Sequence, residues 1–207
     1  MLTAKFLIYL SLILALGLGL AVELQDGDQV VFRTRGSFYN ANYQYLNANT
    51  ANGSVGMAAG YDTKNNLASR WIAHLLSDGS WAFQNFKSPA NSQYTYLNAD
   101  TYIGAVNLAG STDYSTTSGT HWAGEALSDG TFALKNLGSF KNPQYQYLNA
   151  NTHDGSINLA ANTDYKTASG THWYIHIITD PNDQGGFQPQ TGTMVGSMAQ
   201  PALPPSS

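Results

Sequence analysis

Asp, Tyr and His fall at matching places in two stretches, "GSTDYSTTSGTHW" at 110–122 and "ANTDYKTASGTHW" at 161–173. Asp113, Tyr114 and His121 of the first correspond to Asp164, Tyr165 and His172 of the second. A carboxylate to accept hydroxyl hydrogens, an aromatic platform and an imidazole donor are what a shallow sugar-binding loop needs. A third stretch, "GYDTKNNLASRW" at 60–71, keeps Asp62 but has Thr63 for the tyrosine and Arg70 for the histidine. Binding is therefore expected at two places and is weak or absent at the third. The same Asp, Ser and Gly residues also build ordinary turns, with the Asp as the cap, and both readings stay open. Asn98 and Asn149 add amides that could face a ligand, although Asn also suits tight turns by bonding its own backbone.

Other chemistry finds little footing. The chain has no nucleophile elbow, no His-Glu-x-x-His pair, no phosphate-binding Gly loop and no Cys, so binding rather than catalysis is expected, without a cofactor. His172 and His176 share one strand face. Two imidazoles without a nearby carboxylate fall short of the three or four donors of a zinc site, so they read as solvent-facing positions and no metal is expected. A net charge of −4 with no run of Lys or Arg argues against a nucleic-acid groove or an anionic membrane surface as partner. Trp71, Trp122 and Trp173 invite a sugar-stacking role, but each opens a strand whose alternate residues are apolar. Core is the better expectation for them, as for Leu46, Leu97 and Leu148. Asn52-Gly53-Ser54 forms an N-glycosylation sequon.

These residues recur because the chain repeats itself. "YLNA" begins at Tyr45, Tyr96 and Tyr147, an interval of 51 residues that also relates the three Trp, Gly53, Gly104 and Gly155, and Asp62, Asp113 and Asp164. Asp78-Gly79 and Asp129-Gly130 open the second and third copies; Asp26-Gly27 opens the first, one residue out of step. The units run about 26–76, 77–127 and 128–178. Each holds four short runs of period-two alternation punctuated by Asn-Gly or Asp-Gly turns, the mark of strands and hairpins. Propellers typically need four or more blades, and solenoids use shorter units in greater number. Three four-stranded units closing a barrel under a hairpin cap make an all-β fold, the β-trefoil.

The ends differ from this domain of residues 22–179. Lys5 followed by an apolar run over 6–20 and the small residues Gly19 and Ala21 reads as a secretory signal peptide at 1–21; an uncleaved membrane anchor is the alternative. Residues 180–207 are rich in Pro, Gly, Gln and Ser without periodicity and are expected to be a disordered tail, or else an interaction tail. Export without Cys leaves stability to packing alone.

The "YLNA" strand, the Gly-Ser-Val or Gly-Ser-Ile hairpin with its "LA", and "SGTHW" together resemble the β-trefoil superfamily that includes ricin-B-type lectins and fascin-like domains, over about residues 26–178. Ricin-type units carry Gln two residues before the Trp, where this chain has Ser69, Thr120 and Thr171. The resemblance and the loops together imply a secreted carbohydrate-binding module for glycans or glycoproteins, with sites in the second and third copies. The alternative is a protein-binding trefoil, a protease inhibitor or surface adhesin; an enzyme-associated targeting module is a third.

Overall fold

The computed structural model describes residues 23–61, 66–88, 92–110, 114–138, 142, 144–161 and 164–180. The expected signal peptide, all but the first residue of the expected tail, and Asp62 and Asp113 lie outside the described residues. Among the described residues no helix is long and apolar enough to cross a membrane.

Twelve strands occupy the runs of alternation: β1 (Gln29–Thr34), β2 (Tyr45–Asn49), β3 (Ser54–Ala58), β4 (Trp71–Leu75), β5 (Trp81–Asn85), β6 (Tyr96–Asp100), β7 (Ala105–Ala109), β8 (Trp122–Ala126), β9 (Phe132–Asn136), β10 (Tyr147–Asn151), β11 (Ser156–Ala160) and β12 (Trp173–Ile177). Among the described residues helix is confined to short 3-10 segments, three of which directly precede the Trp residues at Leu67–Ser69, Ser118–Thr120 and Ser169–Thr171. From β11 the hydrogen-bonded neighbours run through β3, β2, β1, β12, β9, β8, β5, β6 and β7 and back to β11. The fold is thus an all-β barrel of ten strands in a closed circuit, with β4 and β10 attached beside it. Closure removes the open sheet edges that would otherwise invite pairing with other chains.

The core forms where the threefold-related large residues meet. Trp71, Trp122, Trp173, Leu46, Leu97, Leu148, Phe32 and Phe83 have no exposed surface. Phe32 and Phe83 meet edge to face at 4.9 Å, an arrangement that aromatic quadrupoles favour. Burying an indole would strand its N–H, and each unit solves this identically. The Trp71, Trp122 and Trp173 indoles donate to the carbonyls of Leu46, Leu97 and Leu148 at 3.4, 3.0 and 2.9 Å.

The outer face of β12 departs from the expected exposure. His172 and His176 are 5% and 6% exposed, so they are not solvent-facing. β12 lies between β1 and β9, and loop residues cover its second face. Arg35 and Asp129 reach His172, while Tyr61 stands over His176 at 6.0 Å between ring centroids. Period-two alternation marks the core face correctly here, but the opposite face is not water.

Candidate functional site

The loops that precede the Trp residues fold as compact turns. The Thr120 hydroxyl lies 2.8 Å from the Tyr114 carbonyl, and Thr171 repeats this with Tyr165 at 2.8 Å. Gly119 and Gly170 let each turn press against the preceding hairpin: a Cβ at Gly119 would collide with Asn98 Oδ1 and the Ala99 carbonyl, and one at Gly170 with Asn149 Oδ1 and the Ala150 carbonyl. Anchored this way, the turn sets Tyr114 and Tyr165 over the first residues of β6 and β10.

There each finds a second tyrosine. Tyr114 stacks on Tyr96 with centroids 4.2 Å apart and planes 13° apart; Tyr165 stacks on Tyr147 at 4.0 Å and 7°. The lower ring is buried in both pairs, Tyr96 at 6% and Tyr147 at 1% exposure, while the upper ring is half-buried. Polar side chains edge each stack. In the second copy, Gln84 Oε1 accepts from His74 Nε2 at 2.9 Å and from the Tyr96 hydroxyl at 3.4 Å. In the third, the Tyr147 hydroxyl donates to Glu125 Oε1 at 2.9 Å, and the ammonium groups of Lys135 and Lys166 stand 5.8 Å over Tyr147 and 5.5 Å over Tyr165. Burial, aided by the neighbouring Tyr114, pushes the Tyr96 hydroxyl up to about 12. Burial and then the Glu125 carboxylate drive Tyr147 further in the same direction. Both lower rings therefore remain neutral hydrogen-bond donors at neutral pH.

The first copy is built differently. Its position 63 is Thr, and the aromatic partner of Tyr45 is Tyr61, which meets it edge-on at 4.9 Å and 63°. Tyr61 is only 2% exposed, so no open ring face results. Arg70, in place of the histidine, bonds Gln29 Oε1 and lies 4.6 Å over Phe86. A shallow cleft of about 290 Å³ beside it is lined by Gly27, Asp28, Gln29, Arg70, Ile178 and Thr179.

The other expected site residues go to different neighbours. His121 Nδ1 meets Asp78 Oδ2 at 2.9 Å and His172 Nδ1 meets Asp129 Oδ2 at 2.7 Å. A carboxylate can only accept here, so Nδ1 carries the hydrogen in both imidazoles. Nε2 of each is buried without a hydrogen-bond partner among the described residues. Arg35 adds an ion pair to Asp129, tying the first unit to the third. Asn98 and Asn149 donate their side-chain amides to Asn107 and Asn158 at 2.7 and 2.8 Å, which is hairpin duty. Asp164 is exposed at the head of its turn, where its carbonyl accepts from the Thr167 and Ala168 amides at 3.1 and 2.9 Å.

Of the site residues singled out in the sequence, Tyr114 and Tyr165 are the ones brought into these stacks; Tyr96, Tyr147, His74, Gln84, Glu125 and Lys135 join them without having been singled out as such. The recurrence of Tyr before "LNA" was a visible signal for the lower rings; no local pattern paired them with the loops. Among the described residues no group of three or more potential metal ligands comes together.

No family model matches the chain, and no curated protein matches it. Solved structures do share the fold. A GlcNAcα1-4Gal-releasing endo-β-galactosidase from Clostridium perfringens is similar at a TM-score of 0.54 and 16% identity, over 73% of this chain and 33% of that one. Cry35Ab1 is similar at 0.55 and 16%, over 75% and 37%. A mosquitocidal holotoxin is similar at 0.57 and 12%, over 77% and 18%. The chain spans well under half the length of each. At these identities the likeness is one of fold: an all-β module that larger proteins also carry.

Proposed function

We propose that this chain is an exported carbohydrate-binding β-trefoil that holds two sugars, one on the tyrosine stack of its second unit and one on that of its third. The trefoil reading is supported by pairings that repeat at 51-residue intervals. Trp71 faces Val30, Trp122 faces Trp81 and Trp173 faces Phe132, while β3, β7 and β11 pair cyclically. Export rests on the charged, apolar and small-residue order of residues 1–21.

The observation that carries the sugar reading is the half-buried tyrosine braced face-to-face by a buried one, with polar groups at its edge. A pyranose offers an apolar face that packs on a ring, and its hydroxyls need donors and acceptors around the rim. The described groups beside each stack give and accept hydrogen bonds, which supports a reading of binding. One structural neighbour is a glycan-cleaving enzyme by name, which agrees in substrate class.

Calorimetric titration with an oligosaccharide that binds on a glycan array tests this. Two sites are expected for the parent, one for Tyr114→Ala or Tyr165→Ala, and none for the double variant with its melting transition retained. Normal binding by the double variant would overturn the reading. A protein-binding trefoil is favoured by one observation of its own: Tyr102 and Ile103, at the tip between β6 and β7, are 88% and 65% exposed. An array without hits, with a protein captured through that tip, would move the assignment there.

A further inference from the structure

The two tyrosine stacks share their geometry but not their charge. At three positions 51 residues apart, His, Gln or Ser gives way to Glu or Lys. His74, Gln84 and Ser115 are replaced, 51 residues on, by Glu125, Lys135 and Lys166; His74 and Glu125 lie on the last strands of the first and second units and reach the stack of the unit that follows. In a chain with only 11% charged residues, three such exchanges around one pair of rings mark that place out.

Their arrangement matters more than their number. The Glu125 carboxylate accepts the Tyr147 hydroxyl at 2.9 Å, so its charge is engaged at the foot of the stack. The two ammonium groups lie over the rings, Lys135 at 5.8 Å from the Tyr147 centroid and Lys166 at 5.5 Å from that of Tyr165. Asp164 precedes Tyr165 in the chain, and the second unit has Asp113 at the same position, so it does not distinguish the two. Lys166 is flexible and can yield the half-buried Tyr165 face to a sugar while both ammonium groups stay at the rim.

Resting on the carbohydrate reading above, we propose that the two sites differ in ligand class: the third unit takes a saccharide bearing a carboxylate or sulfate, and the second takes a neutral one. Salt dependence separates this from the field of the whole molecule. The net charge of −4 repels an anion, and screening that repulsion would strengthen binding as salt rises. Attraction by Lys135 and Lys166 has the opposite sign, so binding of the acidic saccharide weakens with salt.

The test uses an array of matched neutral, uronate-bearing and sulfated oligosaccharides, followed by titration of the best acidic member at low and moderate NaCl. The parent is expected to bind acidic members in a salt-weakened manner. Lys135→Gln with Lys166→Ser, which gives the third unit the second unit's residues, is expected to lose acidic binding by roughly three- to tenfold, as two solvent-screened charge contacts allow. Neutral binding should persist in that variant. Acidic binding that is unchanged in the variant, or no stronger than neutral binding in the parent, overturns this inference while leaving the carbohydrate reading intact. Failure of every oligosaccharide to bind overturns both.

Discussion

At Asp129 several donors converge on one carboxylate: the Thr131 hydroxyl and amide, His172 Nδ1 and the Arg35 guanidinium. Burial alone would raise its pKa, but the Thr131 and His172 hydrogen bonds outweigh that and hold it at about 2. Asp78 is shifted in the same direction by Ser80 and His121. A carboxylate held below its unfolded value contributes stability that is present above the unfolded value and is lost as pH falls through the folded one. For Asp129 the window runs from the ordinary 3.8 down to about 2. The thermal midpoint is therefore expected to fall across this window, and to fall less steeply in Asp129→Asn. Parallel curves for parent and variant would show that this carboxylate is not linked to folding. His121 and His172 were legible in the sequence as polar residues of a repeated loop, but their partners lie 43 residues away and were not. The clue was present in the copies themselves: the first unit lacks both members, having Gly27 at the Asp position and Arg70 at the His position. Residues that are gained and lost together within one chain are contact candidates. Tyr61 offers no such clue, because it fills the aromatic role two residues out of register.

At the level of strands and hairpins, the fold was legible because the same alternation is written three times and Asp-Gly or Asn-Gly marks the turns. Loop cover over β12 was not, since alternation says only which face is core. Packing between successive hairpins was also hidden. Gly104, in the turn between β6 and β7, has φ +76° and lies where an added Cβ would sit 2.5 Å from Tyr145 Cδ1, in the next unit. Two penalties are then expected for Gly104→Ala. A left-handed residue with a Cβ costs about 1–2 kcal/mol, and displacing a packed ring adds a further amount. Tyr145→Ala removes only the second penalty. In a double-mutant cycle read by denaturant unfolding, Gly104→Ala is expected to cost less in the Tyr145→Ala background than in the parent. Equal costs in both backgrounds would mean that the turn conformation alone demands glycine and that the ring is not part of the lock.

Across the whole molecule, the two ends of the barrel depend on each other. β1 pairs with β12 through five residue pairs from Val30–Ile177 to Thr34–Trp173. The Ile178 amide donates to the Gln29 carbonyl and the Arg35 amide to the His172 carbonyl, both at 2.8 Å. The first unit therefore completes its hydrogen bonding only when the last strand has arrived. Each tryptophan pairs within its own unit, and the units are joined by the five-pair ladders of β4 with β5, β8 with β9 and β12 with β1. Independent stability of one or two units would require burying Val30, Phe32 and Trp71 without β12 beside them, and exposing the β1 edge to water or to another chain. The expected outcome is a single cooperative transition for the whole domain. Residues 22–180 should melt in one step at the midpoint of the chain extended to residue 207, because the sequence beyond Asp180 has no periodic apolar residues to dock. Residues 22–127, which keep two units and remove the third, should show no near-ultraviolet circular dichroism and no melting transition. If that two-unit chain folds on its own, closure between β1 and β12 is not what stabilises the barrel, and the repeats act as additive modules stacked side by side.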